Sequence, residues 1–524
     1  MAITTTLMAR DPLVSGKPSL SDFPMDADIG NTDDLNRSSG RGVVEAHTPW
    51  TAHLLRACVV AAGLGASILF IVIGLAAELQ MFGDGSIFSY AVAAREAWAF
   101  HWHNISGRLF SYVFAYIAAE SFVALTESAH DGIFLYGSLD FSAPLIGLLA
   151  TWVADRTPRR IVFVYACFST ACLCPLVFGF PTEMWMAHAV FWPALALCLW
   201  PRRTAAANVA VFAALLALIF THEGAVVLAA AILFSLLLRG WRDPLFLRAL
   251  AAFLAAVTIW SVVKIAIPPD DYISAVLASA AYRFIDVENL AQPVLLVLIG
   301  ALWDYMIMVL ILRRFGAAAP LYAALLPLAA LIVYWLWFDA SLLADARYQL
   351  RTILLIATPI LGFVAAIQAM AGDDWRSSPF KFLTPFVSAV ERRFDPLLIL
   401  GAIALILLVH AVETTKFVRA WMDYKAAMRA LATGTASDPE LGDARFVSSR
   451  RIGADLDRLA WNSTIPYLSV LVAPGLLPNR LVVDPDTSYF WLSCATAKAS
   501  EQTSTAIPLQ ARALITKYSC LHRP

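Results

Sequence analysis

Apolar runs of about 18 to 25 residues recur along this chain from residue 54 onward, each long enough to cross a hydrocarbon core of roughly 30 Å. Their apolar positions do not alternate with polar ones, so they predict helices and not the strands of a barrel. Clear spans are expected at 54–79, 161–180, 184–200, 204–221, 224–239, 249–267, 292–312, 320–338, 349–371 and 397–412. Two further apolar segments, 108–126 and 132–153, lie between the first span and a basic loop at 155–160. The pattern predicts an all-α polytopic membrane protein of about 11–12 transmembrane helices over residues 51–412. Segment 108–126 is the weaker span, because Arg108, Ser111, Glu120 and Ser121 interrupt it. If it crosses, the amino terminus and loop 80–107 exchange sides. The preferred reading has it re-entrant or interfacial, as backbone lining a cavity within the protein is permitted to be.

The loops alternate in charge. Asp155-Arg156-Thr157-Pro158-Arg159-Arg160, Pro201-Arg202-Arg203, 239–248, Arg313-Arg314 and 372–396 carry the basic residues. Pro181-Thr182-Glu183, Thr221-His222-Glu223, 268–291 and 339–347 lie between them. The positive-inside rule assigns the first set to the cytoplasm and the second, with loop 80–107, to the far side. Residues 1–50, polar and without periodicity, are expected to form a disordered cytoplasmic tail and not a cleavable signal peptide, since no apolar core follows the start.

Past residue 412 the apolar runs stop, and 413–524 predicts a small extracytoplasmic unit of mixed structure. Within it, 414–431 has Phe417, Trp421, Tyr424, Met428 and Leu431 spaced for one helix face. Runs 467–472 and 480–483, bounded by Pro and Gly, read as strands.

Composition sharpens the class. Hydrophobic residues are 60% of the chain and charged ones 15%, well below the roughly one quarter of a soluble protein. No basic patch stands clear of a membrane edge, which argues against nucleic acid. Five of seven cysteines sit in or beside apolar runs, where Cys acts as a small hydrophobe; Cys494 and Cys520 lie in the polar tail and pair if it meets an oxidising compartment.

The stretch after the first span is chemically the richest. Phe82-Gly83-Asp84-Gly85-Ser86 sets a carboxylate between two glycines, which free the backbone to turn. The plainer role for Asp84 is to cap a helix starting at Ser86. Trp98, His101, Trp102, His103 and Gly107-Arg108 follow. The two histidines, lacking a defined third ligand, are a weak signal for a divalent metal; sugar contact or aromatic packing is the stronger expectation, and no cofactor is assigned. Trp98 and Trp102 fit an interfacial belt as well as a sugar face. Ionisable groups at span ends, Glu183, His222, Glu223, Arg347 and Arg351, are candidates because charge near hydrocarbon is costly. For the arginines the competing role is snorkelling to the interface. The sequon Asn462-Ser463-Thr464 carries little weight.

The order of apolar span, acidic first loop with Asp84 and Trp98, Gly107-Arg108 opening a helix, Pro181-Thr182-Glu183 in the next loop, and Ala346-Arg347-Tyr348 opening a late span resembles the GT-C class of integral membrane glycosyltransferases. It is closest to the bacterial branch that modifies lipopolysaccharide or O-antigen. The likeness runs loosely over 54–430, and a single Asp stands where many such enzymes carry adjacent acids.

The resemblance implies sugar transfer from a polyprenyl-phosphate donor to a lipid or glycan acceptor, at the periplasmic face of a bacterial inner membrane. Asp84 and Glu183 would be catalytic. Arg108, His101, His103, His222, Glu223, Arg347, Tyr348 and Arg351 would bind substrate, the arginines gripping phosphate by paired hydrogen bonds. The alternative is a lipid or amphiphile transporter or flippase, which would place charge in mid-span and show repeated halves; neither is evident in this chain.

Overall fold

The computed structural model describes residues 49–97, 106–202, 204–268, 292–312, 319–338, 350–370, 396–434, 445–453, 456, 459–461, 464–484, 494–502 and 506–521. The amino-terminal tail, His101, His103, Trp98, Trp102, Arg347 and Tyr348 lie outside these, as do the basic loops at 313–314 and 372–395.

The chain is an all-α integral membrane protein. Among the described residues nine helices are long and apolar enough to cross a membrane. Helix α1 (Pro49–Ala76) is followed by α2 (Asp84–Ala94), a helical run α3 (Ser106–Thr126) and α4 (Ala129–Ala154). Next come α5 (Ile161–Leu173), α6 (Glu183–Cys198), α7 (Ala205–Ile219), α8 (Ala225–Leu237) and α9 (Pro244–Ala266). The membrane part closes with α10 (Pro293–Leu312), α11 (Ala319–Val333), α12 (Arg351–Met370) and α13 (Pro396–Thr433).

Helices α6, α7 and α8 hold 16, 15 and 13 residues, fewer than the apolar pattern implies. At 1.5 Å per residue they reach roughly 20–24 Å, short of the hydrocarbon thickness. Side chains take up the ends: Thr182 accepts from Met184 N, and Thr204 from Ala207 N. The carboxy-terminal end of α7 and the start of α8 meet at Thr221-His222-Glu223-Gly224.

Length and composition alone would let α3 cross a membrane, but its contacts make it one arm of a hairpin with α4. Tyr116 stacks on Tyr136 at 5.0 Å, and Val123 fills the space over Gly132. Further along α4, Gly137 packs on Gln80 and Phe141 on Gly74, so α4 runs beside α1 only from there. The hairpin thus stands past the end of α1, on the side where Asp84 lies. Glu120, the residue least suited to a span, accepts from Ala97 N at 2.7 Å and from the Tyr112 hydroxyl at 3.0 Å. It ties the hairpin to the end of α2.

The expected break between a last span and an amphipathic helix is absent, since α13 runs unbroken for 38 residues. Its first half is apolar and its second half buries the stripe Phe417, Trp421, Tyr424, Met428 and Leu431. Trp421 donates to Ala77 O, and Lys425 pairs with Glu78 at 2.6 Å, so α13 seals the end of α1.

The unit that follows pairs two short parallel strands, β1 (Phe446–Ser448) and β2 (Leu481–Val483), with Val447 opposite Val482. It also carries α14 (Ile465–Leu471), α15 (Cys494–Gln502) and α16 (Leu509–Leu521). Run 480–483 contains a strand as expected, but 467–472 is mostly helix α14. Pro466 in its first turn suits a helix start, and a short apolar run does not by itself distinguish the two states. Cys494 and Cys520 form a disulfide.

Close helix crossings depend on glycine. A side-chain carbon on Gly63 would lie 2.6 Å from the Cys167 backbone, whereas one on Gly65 would meet nothing within 4 Å. Gly63→Leu is therefore expected to destabilise the α1–α5 crossing by at least about 1–3 kcal/mol. Gly65→Leu should leave the detergent-solubilised protein's melting temperature near wild type. Equal melting of the two variants would refute this crossing.

Candidate functional site

The turn between α1 and α2 is built around what glycine lacks. Gly83 has φ +58°, a conformation side chains resist, and the Phe180 ring fills the space above it. At Gly85 a β-carbon would lie 2.2 Å from Gln80 O. Asp84 is the first residue of α2, with Gly83 as the N-cap, so the alternative role of capping a helix at Ser86 is not the one it takes. Instead the Trp461 indole donates to its carboxyl. Trp461 comes from the carboxy-terminal unit and packs edge-on against Phe180 at 5.2 Å. Ser86 donates to Thr464 O from the same segment, fastening that unit over the turn.

A second carboxylate, Glu183, opens α6 and is 6% exposed. The third, Glu223, follows α7. Arg108 joins the two: its Nε lies 2.8 Å from Glu223 Oε2 and its terminal nitrogen 3.2 Å from Glu183 Oε1. Lys264, near the end of α9, reaches Glu223 Oε1 at 3.2 Å. The start of α3 is held in place by several bonds. Ser106 donates to Ile267 O, the Trp260 indole to Gly107 O, Phe110 N to Phe220 O and the Ser111 hydroxyl to Thr221 O. The ends of α7 and α9 thus fix where Arg108 points.

The electrostatics distinguish the acids. Burial raises the Asp84 carboxyl, Glu183 adds to this, and Arg351, Trp461 and Arg108 pull it back, leaving it at about 6. Asp84 is half-buried by surface area, so its carboxyl is crowded by protein while keeping some contact with solvent. Burial also pushes Glu223 up, but Arg108 and Lys264 outweigh it and hold that carboxyl well below the usual range. Burial, helped by Arg108 and Arg351, drives His222 down to about 3. A neutral imidazole follows, and its Nδ1 accepts from Gly224 N at 2.9 Å, closing the turn that leads into α8.

The structure thus brings Asp84, Arg108, Glu183, His222, Glu223 and Arg351 to one end of the helix set. Arg351, at the start of α12, acts through space on both Asp84 and His222. Positions 101, 103, 347 and 348 lie outside the described residues. Sequence reading missed Lys264, Trp260 and Trp461. The cation Lys264 and the aromatic Trp260 are one turn apart near a span end, which was a usable signal; Trp461 offered none. Among the described residues no group of three or more His, Cys, Asp or Glu is placed to hold a metal ion. Compared with known protein families and with curated proteins, the chain matches none.

Proposed function

We propose that this protein transfers a sugar from a polyprenyl-phosphate donor to a lipid or glycan acceptor on the non-cytoplasmic face of a bacterial inner membrane. The observation that carries the reading is the gathering of Asp84, Glu183 and Glu223 with Arg108, Lys264 and Arg351 at helix ends, with the Asp84 carboxyl raised to about 6. In this reading Asp84 takes the acceptor hydroxyl proton as the new C–O bond forms at the sugar and the bond to the lipid phosphate breaks. The electron pair leaves with the phosphate oxygen, where Arg351 offsets the growing charge. Arg108 already engages two carboxylates, so it positions Glu183 and Glu223 and is not the phosphate grip that the resemblance implies.

Two features support the outward orientation. The loops at the opposite helix ends hold Arg156, Arg159, Arg160, Arg202, Arg239 and Arg242. The unit lying over Asp84 carries the Cys494–Cys520 disulfide, a bond that persists in oxidising compartments. A transporter reading has less support, because the ion-paired charges around Asp84 collect at helix ends, Asp140 within α4 being an exception.

The test is the envelope lipid and glycan profile of a deletion strain, complemented with wild type and with Asp84→Asn. A sugar-bearing product should vanish on deletion, return with wild type and stay absent with Asp84→Asn at equal expression. Full restoration by Asp84→Asn would remove that residue from the chemistry, and an unchanged profile on deletion would defeat the reading.

A further inference from the structure

Behind the site, Asp140 on α4 is 2% exposed and its Oδ2 has no hydrogen bond. Gln80, in the turn leading to Asp84, is 3% exposed, and its Oε1 also lacks a hydrogen bond. Both side chains lie at the same stretch of α4. Gln80 lies against Gly137, where an added β-carbon would be 2.9–3.0 Å from its side chain, and Asp140 follows Gly137 by one turn on the same helix face. Tyr136, fully buried and one turn before Asp140, places its hydroxyl on that face too. Three buried oxygens for which no hydrogen bond is found, Asp140 Oδ2, Gln80 Oε1 and the Tyr136 hydroxyl, are therefore carried by or packed against one stretch of α4.

The charge pattern adds to this. Among the described residues the one charged group that acts on Asp140 is another acid, Glu183. Around Asp84 three carboxylates are balanced by Arg108, Lys264 and Arg351; Asp140 is a fourth acid with no base of its own. An unpaired charge in a membrane-spanning helix is expensive unless something positive sits beside it. Oxygen ligands from a carboxylate, an amide and a phenol are hard donors, suited to hard cations.

We propose that Asp140, Gln80 and Tyr136 form a site for a small monovalent alkali cation of the sodium class, which neutralises the acid behind Glu183 and braces the turn bearing Asp84. Gln80 links the two functions directly. Its carbonyl accepts from Ser89 and abuts Gly85, so an ion on its amide oxygen holds the Gly83-Asp84-Gly85 turn against α4. The site stands apart from the sugar-transfer reading, since neither its ligands nor its test depend on a substrate.

The experiment uses the full chain in lipid nanodiscs at fixed pH and ionic strength, in sodium, potassium or N-methylglucamine chloride. Sodium is expected to raise the melting temperature saturably above the N-methylglucamine value, as a ligand of the folded state must. Equilibrium binding of radioactive sodium should give about one ion per chain by the same linkage. Asp140→Asn keeps the shape and removes the charge; it should fold, by gel filtration, and lose the sodium response. Gln80→Leu should weaken sodium binding by about tenfold, the loss of one good ligand. Identical melting in all three salts would overturn the proposal, as would a sodium response that survives Asp140→Asn. Melting that follows pH but not sodium would overturn it as well, because the carboxyl would then be neutralised by its own proton.

Discussion

Arg108→Ala is expected to lower the stability of the detergent-solubilised protein by about 3 kcal/mol and to abolish complementation. Removing one partner of a buried ion pair costs about 3–5 kcal/mol, since the other charge stays behind without compensation. The lower end applies because the Arg108 side chain keeps 16% of its surface exposed. The two acids do not suffer equally. Glu223 retains Lys264 at 3.2 Å, whereas Glu183 loses the cation that holds it. The double variant Arg108→Ala/Glu183→Gln should therefore regain a measurable part of the lost stability, and Arg108→Ala/Glu223→Gln less. Arg108→Lys should rescue little, because one ammonium does not span two carboxylates as a guanidinium does. A melting temperature for Arg108→Ala within a degree of wild type would show that the bridge is not what joins α3, α6 and the α7–α8 turn.

That bridge explains why much of the site was legible in the chain. Glu183 and His222-Glu223 occupy alternate loops of a serially antiparallel helix set, so alternation alone places them at one end. Asp84 and Arg108 bracket the first loop and arrive at the same level. The Gly-Asp-Gly turn was legible for a steric reason, now visible in Phe180, Pro181 and Gln80 O crowding the two glycines. Trp461 was not legible, because it meets Asp84 from 377 positions further along the chain. Periodicity reports only the local environment of a residue. The same limit explains α13. At residue 412 the pattern changes from apolar all round to apolar on one face, which marks a change of surroundings and not the end of a helix. No Gly or Pro interrupts the chain between 402 and 433, and Gly434, at φ +72°, is the stop that does end it. Of the three short helices, α7 gives up Phe220 and Thr221 to the turn at the site, whereas α6 and α8 give up Leu199, Trp200 and Leu238 to turns at the opposite, basic-loop end.

Asp84→Asn is expected to inactivate the protein while making it more stable at neutral pH. The folded state holds the Asp84 carboxyl at about 6 against an ordinary 3.8, chiefly through burial. A raised acid is protonated more readily folded than unfolded, so its charge works against folding. The penalty is absent below about pH 4, grows as pH rises to 6 and is complete above it. At about two pH units and 1.4 kcal/mol for each, it amounts to no more than about 3 kcal/mol. Asparagine cannot ionise and its amide oxygen can still accept from Trp461. The variant should melt with wild type near pH 4 and above it at pH 7.5. Activity carries the opposite sign, because only the ionised carboxyl accepts a proton. Product formation by wild type should therefore fall with an acid limb near pH 6. Trp461→Phe deletes a hydrogen bond that favours the carboxylate, so it should move that limb to higher pH while retaining measurable transfer. Were Asp84→Asn to melt below wild type at pH 7.5, the carboxyl would be a structural anchor, and the role of base would pass to Glu183.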